Sequence, residues 1–241
     1  MFILGLVLVI ISMFYVSSFL AILGVAFFFW GGILLYITPT KQVPIAMFYA
    51  EAEVTTSNIE RIINESGMSL TGIYLPPRNL KNADSSLIFI PKKAKIALPS
   101  PEEITDRLIV NQKDGVLIVP PGAALCRLFE NELNMFFTKL DLKQLQVELP
   151  KLLVKDMGLA ENAEIQIQGS TVILEISGGI LVEICRQTDS QPRTHKQVGC
   201  LLSSTIACAL AKATGKPIKI QNENRNQVTK TIRVEYQILE G

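Results

Sequence analysis

Residues 1–38 read MFILGLVLVIISMFYVSSFLAILGVAFFFWGGILLYIT and contain no Asp, Glu, Lys, Arg or His; the first charged side chain is Lys41. In water this surface stays exposed at a cost of about 25 cal/mol for every Å². In a bilayer it is at home, because a helix satisfies its own backbone hydrogen bonds there. The rest of the 241-residue chain is therefore read as a module hung from this stretch. A single helix through it would be about 55 Å long, against a hydrocarbon core of about 30 Å. Two spans are expected instead, 2–14 and 19–37, split at Tyr15-Val16-Ser17-Ser18. Gly5, Gly24, Gly31 and Gly32 allow close helix contact, and Trp30 and Tyr36 suit an interfacial end. One span with an interfacial remainder is the standing alternative, and a hairpin buried in a soluble core is another. A cleaved signal peptide needs a basic n-region and a small-residue cleavage site, and neither occurs.

Both ends of a hairpin emerge on one side. Lys41 and the cluster Lys92-Lys93-Ala94-Lys95 favour the cytoplasm, and four cysteines without short paired spacing read as reduced thiols. The expected localisation is the cell membrane, multi-pass, with the soluble region cytoplasmic. The lysine cluster itself reads as a solvated loop after Pro91, with contact to anionic headgroups as the alternative. Twenty-three basic and 22 acidic residues are interspersed, for a net charge of +1. That leaves no basic face on the scale nucleic acid demands.

Three regions are expected: a transmembrane hairpin (1–38), a small α/β region (39–120) and an α+β domain (121–241). In the middle region Ser57 and Glu60 form a capping box for a helix with Ile59, Ile62 and Ile63 as its stripe and Gly67 as its stop. Strands are expected at 71–75 and 86–90, ahead of Pro76-Pro77 and Pro91. Ser100-Pro101-Glu102-Glu103 reads as another helix start. Segments 108–110 and 116–119 flank a hairpin turn at Asp114-Gly115, and Pro120-Pro121-Gly122 marks a soft boundary.

Beyond it, Leu125, Leu128, Phe129, Leu133 and Phe136 recur at helical spacing. Asp141 is an N-cap for a helix through Leu142, Leu145 and Val147, with Pro150 ending it or opening its successor and Gly158 as the stop. Segments 164–168 and 171–177 around Gly169-Ser170 make the strongest β-hairpin. The run 180–185 is of either type, and 188–197, with His195, reads as a polar loop. Segment 198–214 is a helix of small residues (Cys200, Ser203, Ser204, Thr205, Ala207, Cys208, Ala209, Ala211, Ala213), so another backbone can approach it closely. Gly215 caps it, and strands 218–221 and 228–239 close the chain. The fold class is α+β: an N-terminal transmembrane helical hairpin, then a soluble α+β region with an antiparallel sheet and helices on one face.

Four strings carry a resemblance: the two-span start, Gly72-Ile73-Tyr74-Leu75-Pro76-Pro77, the region 129–156 with Leu149-Pro150-Lys151-Leu152-Leu153, and Ala207-Cys208-Ala209-Leu210-Ala211-Lys212-Ala213-Thr214-Gly215-Lys216-Pro217. Together they resemble a family of uncharacterised archaeal membrane proteins over nearly the whole chain. The resemblance implies the topology and an archaeal origin, and no activity. The helix–hairpin–helix–hairpin order of 122–241 is similar to the 4-vinyl reductase and Bet3-like fold, whose members bind apolar small molecules or act as assembly subunits.

Chemistry is sparse. A single histidine, His195, leaves no His-rich metal site, and no P-loop, dinucleotide fingerprint or His-Glu-x-x-His occurs. A thiolate site of Cys185, Cys200 and Cys208 with His195 is the sharpest alternative. Zinc favours a Cys-x₂-Cys half-site, but Ser203 stands three after Cys200, where some members of the resembling family carry a further Cys. Cys200 and Cys208 also point about 80° apart around a helix, so the cysteines read as buried small hydrophobes. Glu102-Glu103 and the pair Glu130 and Glu132 read as capping and solubility. No catalytic, cofactor-binding or metal residue is assigned, and no cofactor. The expected partners are the lipid bilayer through residues 1–38 and a protein partner or second copy, with no nucleic acid. The function expected is a non-enzymatic membrane-anchored interaction or assembly subunit. The alternative is a membrane-associated sensor or carrier of an apolar small molecule or lipid.

Overall fold

The computed structural model describes residues 2–37, 45–68, 70–77, 86–93, 98–99, 115–187, 192–226 and 228–240. The chain divides into two compact units, Met1–Met47 and Phe48–Gly241. In the first, α1 (Phe2–Tyr15) and α2 (Ser18–Ile37) form a helical hairpin. The turn falls at the expected break, with Val16 in the left-handed region at φ 48°. Gly5 and Gly24 make the crossing: a Cβ on Gly5 would stand 2.3 Å from Phe28 N, and one on Gly24 would stand 2.8 Å from Val9 N. Gly32 has nothing within 4 Å of its Cβ position and plays no part in this contact.

The transmembrane reading of this hairpin is corrected. Among the described residues no helix is long and apolar enough to cross a membrane. The turn at Val16 is the physical reason for α1: its 14 residues rise about 21 Å, short of a hydrocarbon core of about 30 Å.

α3 (Ile45–Ser66), which runs from the end of the first unit into the second, starts a dozen residues ahead of the expected cap, so Ser57 lies inside the helix. Its stop is as read, with Gly67 at φ 66°. Ile59 and Ile63 are buried, whereas Ile62 is exposed. Then come β1 (Ile73–Leu75), β2 (Leu87–Pro91) and β3 (Gly115–Ile118). The expected helix start at Ser100-Pro101 and the turn at Asp114 lie outside the described residues. After α4 (Ala123–Leu133) and a 3₁₀ turn, Asp141 caps α5 (Leu142–Lys151) in a capping box with Gln144. Pro150 lies in its last turn, where its missing N–H gives way to a π-helical turn, Leu152–Asp156.

The hairpin β4 (Asn162–Gln168) and β5 (Thr171–Ser177) forms as read. The run 180–185 belongs to α6 (Gly179–Gln187), and the expected polar loop contains α7 (Pro192–Val198). α8 (Leu201–Thr214) ends at Gly215, φ 62°, before β6 (Ile218–Asn226) and β7 (Thr231–Ile238).

Among the described residues seven strands make one sheet in the order β3-β2-β1-β6-β7-β5-β4, with every neighbouring pair antiparallel. The unit is α+β, and strands from both sides of Pro120-Pro121-Gly122 share that sheet. Tyr74, Ile88, Ile118, Val172, Leu174, Val234 and Tyr236 point into the core formed with α4, α5 and α8. Leu75, Phe89 and Leu117 form a smaller apolar cluster apart from it.

α8 is the centre of this core, buried continuously from Leu202 to Lys212. The close approach expected of its small residues occurs at Gly122, whose Cβ position is 2.1 Å from Thr205 N. Gly122 N donates to Ser204 Oγ at 2.9 Å, and Thr205 Oγ1 donates to Gly122 O at 3.3 Å. A helix so enclosed is not a docking surface.

Candidate functional site

Four elements bring polar side chains together behind α8: α6, α7, the N-terminus of α8 and β6. Cys200 is the N-cap of α8, its Sγ accepting from Ser203 N at 3.4 Å. It is joined by a disulfide to Cys185 on α6, with a Cα–Cα separation of 5.7 Å. Reduced thiols throughout are thus corrected for this pair. Cys126 and Cys208 are free and buried, as small hydrophobes would be.

β6 delivers the charges through a bulge. Ile218 and Ile220 face the core, but the register shifts between Ile220 and Asn222. After that shift the odd positions turn inward: Glu223 lies opposite the buried Val234, and Arg225 opposite the buried Ile232. This is the known use of a bulge, to re-aim side chains.

Glu223 Oε1 accepts from Arg225 Nε at 3.0 Å and Nη2 at 2.8 Å, and lies 3.0 Å from His195 Nε2. Arg225 Nη1 donates to the Cys185 carbonyl at 2.5 Å, and Nη2 also touches His195 Nε2. Burial pushes the Glu223 carboxyl up, but His195 and Arg225 outweigh it and hold it below the ordinary carboxylate range. His195 is no solvated loop residue. It sits in α7 with its side chain 17% exposed, against the Glu223 carboxylate that the bulge turns inward.

The surrounding frame is fixed from β1 and β7. Tyr74 Oη donates to Val198 O at 2.5 Å, Tyr236 Oη to Ser203 O at 3.2 Å, and Gln197 Nε2 to Met68 O at 2.9 Å. Burial pushes both phenols well above their ordinary range. Within this frame Thr194 Oγ1, Gln197 Oε1 and Glu223 Oε2 are buried and have no hydrogen-bond partner among the described residues. Such atoms are rare in a folded core.

Beside the cluster is a cavity of about 210 Å³ whose walls include Glu161, Val182, Glu183, Arg225, Lys230 and Ile232. Arg225 is common to both. Pockets for drug-sized apolar ligands run to about 300–1,000 Å³ and carry few charges; this one is smaller and charged.

Cys208 lies apart from this group. Burial pushes its thiol up to about 12, against Ser86 and Lys212 acting the other way. Glu130, read as an exposed carboxylate, is buried on α4. It accepts from Lys212 Nζ at 2.7 Å and from Phe137 N at 2.9 Å. Glu102 and Glu103 lie outside the described residues. Sequence reasoning named Cys185, Cys200 and His195 but missed Glu223 and Arg225, whose alternation the bulge breaks.

No curated protein and no solved structure matches the chain. A family described as Domain of unknown function (DUF7982) matches residues 1–237, and the chain belongs to that family.

Proposed function

We propose that the protein is a non-enzymatic interaction or assembly module held at a lipid surface by its N-terminal hairpin. One observation carries this reading: the apolar side chains of α1 and α2 remain exposed, with Ile3 at 76%, Phe14 at 82%, Phe19 at 75% and Trp30 at 61%. The polar Ser12 donates to Val9 O at 2.7 Å, so it asks nothing of water. Exposed apolar surface of this extent marks a partner or a membrane. The absence of any charge in residues 1–38 favours the acyl region of a leaflet, entered and left from one face.

The cavity beside β6 supports an interaction module over a carrier: at about 210 Å³ it is small, and it is charged. A cytoplasmic setting is proposed from Lys41 and the Lys92 cluster. There glutathione and thioredoxin would open the Cys185–Cys200 bridge to two thiols. The order α4, α5, β4–β5, α6 to α8, β6–β7 supports placing this half with the 4-vinyl reductase and Bet3-like fold. The strings that carry the family resemblance support an archaeal source.

Flotation of the full chain with phosphatidylcholine and phosphatidylglycerol vesicles tests the reading. The chain is expected to float, and the double variant Phe14→Glu, Ile22→Lys to stay at the bottom while keeping the far-UV circular dichroism of the wild type. A wild-type chain that stays monodisperse in detergent-free buffer and does not float overturns it.

A further inference from the structure

The geometry points to a zinc site made by Cys185, His195, Cys200 and Glu223, formed when the Cys185–Cys200 bridge is reduced. A ring nitrogen of His195, Cys200 Sγ and one carboxylate oxygen of Glu223 all lie within 4.8 Å of one another. Cys185 Sγ is bonded to Cys200 Sγ, so it is a fourth donor at the same place. Tetrahedral zinc, with bonds of about 2.0–2.3 Å, holds its donors about 3.3–3.8 Å apart. Once the S–S bond opens, small side-chain movements bring this set to that spacing. The donors come from α6, α7, the N-cap of α8 and β6.

Two features point to a ligand here independently of the donor count. The Glu223 side chain is 6% exposed, yet its Oε2 has no hydrogen-bond partner among the described residues. A buried carboxylate oxygen left without a donor is costly unless a cation takes it. The second feature is charge. Two thiolates and a carboxylate carry −3, zinc brings +2, and Arg225 supplies the remaining +1 beside Glu223 Oε1. Arg225 then keeps Oε1 and the Cys185 carbonyl and orients the carboxylate from outside the coordination sphere, its contact with His195 Nε2 opening as the ring turns to the metal.

Soft thiolates with imidazole select zinc over magnesium or calcium. Four protein donors leave no open position, so the site is structural: it clamps α6, α7 and β6 to the head of α8. The reaction balances with a dithiol reductant. It gives two electrons and two protons to the S–S bond, is itself oxidised to a disulfide, and leaves two thiols, which lose their protons as two Zn–S bonds form.

The test uses the full chain in detergent, reduced with a dithiol and then freed of it, with Zn²⁺ and Co²⁺ as probes. We expect one metal per chain by elemental analysis, and for Co²⁺ a thiolate charge-transfer band with tetrahedral d–d bands. Cys200→Ser, which preserves an N-capping side chain, and His195→Gln are expected to abolish stoichiometric binding. Arg225→Gln is expected to weaken it by about ten- to a hundred-fold, and Cys208→Ala to leave it unchanged. Oxidation back to the disulfide should release the metal. Circular dichroism of each apo-variant shows that a lost site is not a lost fold. The proposal is overturned if the reduced wild type holds only substoichiometric metal, if Cys200→Ser and His195→Gln still bind one equivalent, or if Cys208→Ala loses it.

Discussion

Gly122→Ala is the sharpest perturbation of the core. The added methyl would stand 2.1 Å from Thr205 N and 2.5 Å from Ser204 C, both backbone atoms of α8. No rotamer change relieves such a contact, so the start of α4 must move off α8. Overpacking of this kind costs about 1–3 kcal/mol. Displacement also breaks the 2.9 Å bond from Gly122 N to Ser204 Oγ, leaving a buried N–H unpaired, which adds about 1–3 kcal/mol. The sum is about 4 kcal/mol. With a urea slope of about 3 kcal/mol/M, the midpoint falls by about 1.3 M.

Cys126 on α4 and Cys208 on α8 are free and buried, which makes them reporters for this unit. Their alkylation in urea, read by mass spectrometry, follows opening of the α4–α8 contact. Gly72→Ala is the control. Its methyl also comes close, 2.5 Å from Ile88 Cδ1 and 2.7 Å from its Cγ1, but these are side-chain atoms and the nearest backbone atom, Gln197 O, is 3.2 Å away, so a loss of about 1–2 kcal/mol is expected. If Gly122→Ala unfolded within 0.3 M of the wild type (about 1 kcal/mol), or Gly72→Ala proved the worse of the two, the backbone-contact reasoning would fail.

Two further outcomes are expected. The Glu130–Lys212 pair is about 95% buried on both sides at 2.7 Å. Lys212→Met should therefore lose about 3–5 kcal/mol by leaving a buried carboxylate unpaired; Glu130→Gln with Lys212→Met should recover most of it, because the amide oxygen still accepts from Phe137 N. Both are read from urea midpoints, and a harmless single variant would contradict the burial. The second outcome concerns pH. Cys208 titrates at about 12 when folded, against 9.0 ordinarily. The unfolded chain releases this proton first, so the contribution is complete below about pH 9 and is lost as pH rises towards about 12, up to about 4 kcal/mol. Midpoints between pH 8 and 11 should fall less steeply for Cys208→Ala than for the wild type.

What could be read from the sequence was whatever local chemistry decides. The N-cap at Asp141, the β4–β5 hairpin around Gly169-Ser170 and the stops at Gly67 and Gly215 each rest on a few adjacent residues, and each is present. Ser57 failed because a capping motif carries no information about residues upstream that continue the helix, and α3 extends back to Ile45. The hairpin at the N-terminus was legible as two helices meeting at glycines. Whether they cross a membrane depended on where the turn fell, and Val16 leaves α1 with 14 residues.

Glu223 and Arg225 were illegible for a different reason. Reading β6 by alternation from Ile218 and Ile220 sends Asn222 and Asn224 inward and Glu223 and Arg225 to solvent, which is what polarity also favours. One extra residue at the bulge reverses the parity, and only cross-strand pairing with Val234 and Ile232 exposes it. The reversal brings a carboxylate and a guanidinium into a core at a desolvation penalty that packing alone does not offset. A strand optimised only for stability would have kept the alternation intact and left the two charges in solvent. The bulge therefore exists for the side chains it turns inward, and His195 and the Cys185–Cys200 pair are what those side chains meet.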